Sequence, residues 1–91
     1  MSVSVRIPTI LRTYTDGASE VQAAGGTLAE VIESLESSYP GIKGRILDDK
    51  GAIRRFVNVY VGNDDVRFLE SLETSTPEGV QVSVIPAVAG G

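Results

Sequence analysis

The sequence predicts an α+β fold in which one amphipathic helix covers one face of a mixed sheet of four to five strands. Three observations carry that expectation. The stretches "SVSVRI", "FVNVYV" and "VQVSVIP" alternate apolar and polar residues with a period of two, as half-buried strands do. Residues 27–39 instead repeat their apolar positions at helical spacing over several turns. No internal repeat and no linker divides the 91 residues, so these elements must share one core.

Taken in order, Val3, Val5 and Ile7 alternate with Ser2, Ser4 and Arg6, and Pro8, which lacks a backbone donor, ends the first strand. Asp16-Gly17 in "TILRTYTDGAS" is a turn signal, and "EVQA" beyond it reads as a second, shorter strand closing a hairpin. The helix opens with a capping box, "TLAE". In it the Thr27 hydroxyl accepts from the Glu30 amide and the Glu30 carboxylate reaches back to the Thr27 amide. Leu28, Val31, Ile32, Leu35 and Tyr39 give the helix its apolar face, and Pro40-Gly41 stops it. "KGRILDDKGA" is a polar connection with a helical turn around Ile46-Leu47. In "FVNVYV", Val57, Val59 and Val61 take one face, and Phe56, Asn58 and Tyr60 the other. "GNDD" turns the chain and "VRFL" returns as a short strand. "TPEG" then leads into the last strand, where Val80, Val82 and Val84 alternate with Gln81, Ser83 and Ile85.

The order strand, strand, helix, strand, short strand, strand is a β-grasp layout, as in ubiquitin-like domains. In that layout the final strand pairs beside the first, so it is expected in the middle of the sheet. The expected division is a β-grasp domain over residues 1–86 and a flexible Gly-Gly tail over 87–91, with Pro86 setting the exit.

Composition removes several function classes. Without cysteine or histidine the chain has no disulfide, no thiolate nucleophile, no imidazole base and few ligands for a transition metal. No residue is nominated as catalytic, and no metal or bound cofactor is expected. A formal net charge of −4 opposes a nucleic-acid backbone. Arg54-Arg55, with Arg45 and Lys50, read as cations solvating a loop. Glu30, Glu33 and Glu36 read as a solvated helix face, and Asp64-Asp65 as turn residues bonding their own backbone. Gly25-Gly26 would suit an anion at the helix start, but the capping box already uses those donors. There is no GK[ST] of a phosphate loop. No run is long enough to span a membrane, and the N-terminus lacks a basic-then-apolar signal, so a cytoplasmic protein is expected.

The chain ends "AVAGG". A terminal carboxylate becomes an acyl donor once its oxygen leaves easily, as in an acyl-adenylate made with ATP. A carbonyl that must reach deep into another protein's pocket is best carried by glycine, which has no Cβ to block approach and a free choice of φ and ψ. Ala87, Val88 and Ala89 are slim, and Gly90 and Gly91 go deepest. The tail reads as a substrate whose catalytic groups come from a partner. Phe56, Tyr60 and Ile85 share the open face of the sheet in this layout and form the candidate docking patch for such a partner.

The layout and the "PAVAGG" ending resemble the ubiquitin-like sulfur carriers of the MoaD/ThiS family over essentially the whole chain. "RIPTILRTYTDG" and "RRFVNVYVGNDDVRFL" are most similar to the members that serve actinobacterial cysteine biosynthesis. The resemblance implies that Gly91 is adenylated by an E1-like enzyme and converted to a thiocarboxylate that donates sulfur. The acceptor enzyme would be a PLP-dependent sulfhydrylase or another thiolated-metabolite synthase, with a JAMM-type metalloprotease to regenerate the Gly-Gly end. The protein would then be a cosubstrate and not an enzyme. Two other readings stay open: a ubiquitin-like modifier joined to targets through Gly91, and a plain β-grasp interaction module.

Overall fold

Alternation along the valine-rich stretches becomes alternation of burial. In the computed structural model, which describes residues 2–86, Val3, Val5, Val59, Val82 and Val84 are buried while their chain neighbours face outward. The strands are β1 (Ser2–Arg6), β2 (Glu20–Ala24), β3 (Val57–Val61), β4 (Asp64–Asp65) and β5 (Gln81–Pro86). They form one mixed sheet in the order β2-β1-β5-β3-β4. β5 runs parallel to β1 and antiparallel to β3, so the last strand is central, as the layout requires. Register sets Val82 beside both Val5 and Val61, and Val84 beside Val59, which makes a continuous valine floor.

Helix α1 (Leu28–Ser38) lays Leu28, Val31, Ile32 and Leu35 on that floor, and all four are buried. A short helix α2 (Lys43–Ile46) adds Ile46 to the core, beside Ile42 and Leu47. Tyr39 is the C-cap residue of α1 and packs half-buried at the edge of the core. The C-terminal stop uses Gly41 at a φ of 100°, where an added Cβ would meet the Tyr14 ring at 2.9 Å.

Three local readings change. "VRFL" is not a strand: pairing ends at Asp64–Asp65, opposite Val61 and Tyr60, and Val66–Phe68 is a 3-10 turn. The Asp65 carboxylate caps that turn by accepting from the Arg67 amide at 2.9 Å. The tight turn buries Val66 and leaves Phe68 87% exposed, where a strand would have put both on one face. In the opening hairpin, Thr9–Thr15 forms a 3-10 helix that buries Leu11 and Thr15, and the predicted turn follows with Asp16 and Gly17 at positive φ. The capping box is shifted. The Thr27 hydroxyl accepts from the Glu30 amide at 3.4 Å, but Glu30 Oε1 accepts from the Gly26 amide at 2.8 Å and not from Thr27. Residues 26–28 enter the helix as an extended bridge to Thr74–Thr76, and that entry turns the Gly26 amide toward the carboxylate.

Candidate functional site

Ala87, Val88, Ala89, Gly90 and Gly91 lie outside the described residues. The described part of the site is the end of β5 from which they continue. Ile85 stands opposite Asn58, and Pro86 opposite Val57, the first residue of β3. On the other flank, pairing with β1 stops at Arg6 opposite Ser83. Pro8 then diverts the chain into the 3-10 helix. That divergence opens a depression of about 450 Å³ beside the exit, lined by Pro8, Ile10, Arg12, Ile85 and Pro86 among others. The exit therefore sits between two strands in the middle of the sheet.

Of the predicted docking residues, Tyr60 and Ile85 lie on the open face and line one shallow depression with Arg6 and Ser83. Ile85 is 47% exposed and Tyr60 half-buried. Phe56 precedes β3, 56% exposed, with the Arg55 guanidinium 5.6 Å from its ring centroid. The structure thus brings Tyr60 and Ile85 together and sets Phe56 at the start of the neighbouring strand, uncovered by any described loop.

Sequence reasoning missed Arg67. Its guanidinium donates to Asn58 Oδ1 at 2.6 Å and to the carbonyls of Arg54 and Val57 at 2.7 Å each, tying the entry of β3 in place beside the exit. No local pattern marks that long-range clasp; the Asp65 cap two residues before Arg67 is the one nearby signal. Ile10, 63% exposed over the depression, was also passed over.

The carboxylates serve the backbone. The amides of Gly41 and Lys43 hold the Glu36 carboxyl below its ordinary range, and those of Ala52 and Lys50 do the same for Asp48. Glu33 pairs with Lys43. Among the described residues, no group of three His, Cys, Asp or Glu is placed to hold a metal ion. No described helix is long and apolar enough to cross a membrane.

Comparison with known proteins agrees with this geometry. The profile of the ThiS family matches residues 5–91. The sulfur carrier protein CysO of Mycobacterium tuberculosis is 50% identical over 93 residues, covering 100% of both chains. The small archaeal modifier protein 3 of Haloferax volcanii is 40% identical over 65 residues, 71% of this chain and 70% of that one. Among solved structures, the BexX/CysO complex of Amycolatopsis orientalis contains a chain that superposes with a TM-score of 0.92 at 47% identity, covering 98% of this chain and 99% of that one. With a family match that spans the core and the Gly-Gly end, and relatives matched from end to end, the chain belongs to the ThiS family of sulfur carrier proteins.

Proposed function

We propose that Gly91 is the sulfur-carrying end of this protein, and that residues 87–91 are the part inserted into partner enzymes. An E1-like enzyme joins the Gly91 carboxylate to AMP from ATP and releases pyrophosphate. A sulfur nucleophile then attacks the acyl carbon and expels AMP, leaving a thiocarboxylate. The thiocarboxylate sulfur bonds to an acceptor in a second enzyme, and water then hydrolyses the acyl link, releasing the sulfur-bearing product and restoring the carboxylate. The observation that carries this reading is the position of Pro86. It ends the central strand, in register with β3, so a partner that grips the domain receives residues 87–91 from a fixed origin.

The acceptor enzyme proposed is a PLP-dependent sulfhydrylase of cysteine synthesis or another synthase of a thiolated metabolite, with a JAMM-type protease available to regenerate Gly91. BexX, which forms a complex with CysO in Amycolatopsis orientalis, exemplifies the kind of partner. Phe56, Tyr60 and Ile85 add apolar contact area for docking, and the work is done in the cytoplasm. A second reading draws on the 40% identity to a small archaeal modifier protein: Gly91 joined to a target lysine through an isopeptide bond.

The test is intact mass after incubation with an E1-like enzyme, ATP and a sulfide source, followed by alkylation. The chain has no cysteine, so an ATP-dependent alkylatable sulfur reports the thiocarboxylate. It is expected on the full chain and not on a chain lacking Gly91. No such gain from an enzyme that charges a known carrier sinks the reading, and Gly91 found amide-linked to lysines favours the modifier.

A further inference from the structure

All six arginines of the chain stand around the end of the sheet from which residues 87–91 continue. Arg6 closes β1 beside Ser83, and Arg12 lines the depression beside Ile85 and Pro86. Arg54 and Arg55 lead into β3, whose first residue is opposite Pro86, and Arg67 is bonded to that same entry. Arg45 shares a second depression with Arg54, Ile10 and Tyr14. The lysines do not join them. Lys43 pairs with Glu33, and Lys50 lies in the turn capped by Asp48.

Among the described residues, none of the six arginines forms an ion pair. Their hydrogen bonds go to neutral oxygens: Arg12 to the Ile7 carbonyl, Arg45 to the Tyr14 hydroxyl, Arg54 to the Gly44 carbonyl, and Arg67 to Asn58 and two carbonyls. Even Glu20, opposite Arg6 in register, gives its carboxylate to the Gln81 amide. A neutral acceptor satisfies a donor without neutralising its charge; only Arg54 lies near enough to a carboxylate, that of Asp48, to help lower its pKa. The chain as a whole carries −4, so its cations are drawn together at one place against their mutual repulsion.

We propose that this arginine collar is the docking surface for the enzymes that take up residues 87–91, and that those enzymes present carboxylates around the mouth of the receiving channel. The proposal rests on Gly91 being the working end. Five residues span at most about 17 Å when extended, so Gly91 reaches a buried centre only if the channel mouth comes that close to Pro86. At that distance the rim lies against the arginines. The apolar depression between Pro8, Ile10 and Ile85 accepts one hydrophobic side chain of the rim, in the middle of the charged ring. Successive partners need the same exit, so they share the acidic rim and exclude one another.

The experiment measures association of the full chain with the E1-like enzyme that charges it, by stopped flow at low and raised salt. Arg55→Glu alters a side chain that lies over its own Phe56 ring, and a double variant adds Arg54→Glu. Lys50→Glu makes the same charge change at a lysine outside the collar, in the turn capped by Asp48. The double variant is expected to associate about tenfold more slowly or worse at low salt and to lose most of the salt dependence, with Lys50→Glu within about twofold of the parent. Arg55→Glu alone should show the same trend, which guards against a folding defect from Arg54. Thiocarboxylate yield at saturating enzyme should match the parent in Lys50→Glu. Variants that associate like the parent at all salt concentrations overturn the collar while leaving Gly91 charged. A parent chain that gains no sulfur overturns the reading beneath it as well. Arginine-dependent binding of a 20-base-pair DNA or RNA duplex at physiological salt would assign the collar to nucleic acid and overturn it too.

Discussion

Where α1 begins, the sheet is closed by short bonds: the Thr76 amide donates to the Gly26 carbonyl at 3.0 Å, its buried hydroxyl to the Gly25 carbonyl at 2.9 Å, and the Leu28 amide to the Thr74 carbonyl at 2.9 Å. At the opposite end, where β5 runs out, long arginine side chains reach across loops to carbonyls, and their charge stays at the surface. Both ends satisfy backbone groups that would otherwise be unpaired. They differ in what remains afterwards. The first pairs backbone with backbone and leaves no room for a Cβ at Gly25. The second uses the aliphatic stem and the donors of arginine for the fold and keeps a positive surface beside the exit. Separating the two ends lets one carry rigidity while the other keeps its charge at the surface, as the proposed docking requires.

The sharpest way to break the contrast is Gly25→Ala. Gly25 has a φ of 153°, and a Cβ there would lie 2.7 Å from the Val31 amide nitrogen and 2.8 Å from Glu30 Cβ. Neither neighbour can move without unwinding the first turn of α1. The expected cost is about 3 kcal/mol or more, from backbone strain and overpacking together. Thermal denaturation should show a fall of more than about 12 °C. A melt within a few degrees of the parent would mean that this end is looser than its hydrogen bonds imply.

The arginine end should answer more softly. Arg67→Ala removes three donated bonds from a partly solvated site, for an expected loss of about 1–2 kcal/mol in urea unfolding. Arg67→Lys should recover little of it, because one ammonium cannot span Asn58 and the carbonyls of Arg54 and Val57 at once. Full recovery by lysine would show that charge, and not the planar fork, holds the β3 entry.

The same contrast explains what could be read from the sequence. The valine alternation and the stripe from Leu28 to Leu35 are periodic and local, and they gave the sheet, the helix and the central last strand. Asp16-Gly17 and Pro40-Gly41 are local too, and their turns are where they were expected. "VRFL" misled because Val66 and Phe68 match a two-residue period, while the cap from Asp65 decides the geometry. Thr9–Thr15 hid its 3-10 helix behind a turn signal that was itself correct. Less of the site can be compared. "AVAGG" lies outside the described residues, alternation places Tyr60 and Ile85 on the open face where both are found, and Phe56 stands just before β3. The arginine grouping does not follow from alternation, because Arg6, Arg12, Arg45, Arg54, Arg55 and Arg67 are gathered by topology from five separate stretches.

The smallest expected effect lies at the far end of α1, where a carboxylate does what arginine does near the exit. Glu36 accepts from the Gly41 amide at 3.0 Å and from the Lys43 amide at 2.9 Å, joining the end of α1 to the start of α2. These amides favour the ionised form, so the folded-state pKa lies below its ordinary value of 4.5. A depressed carboxylate contributes stability that is present above the unfolded value and lost as the pH falls through the folded one. The stability advantage of the parent over Glu36→Gln should therefore be level near neutrality and narrow once the pH drops below 4.5. Urea midpoints measured for both from neutral pH down to about pH 3 would trace it. Parallel curves over that whole range would mean that the ionised carboxylate adds nothing that a glutamine amide oxygen does not. The α1–α2 junction would then belong with the neutral, backbone-closed end of the molecule and not with the charged one.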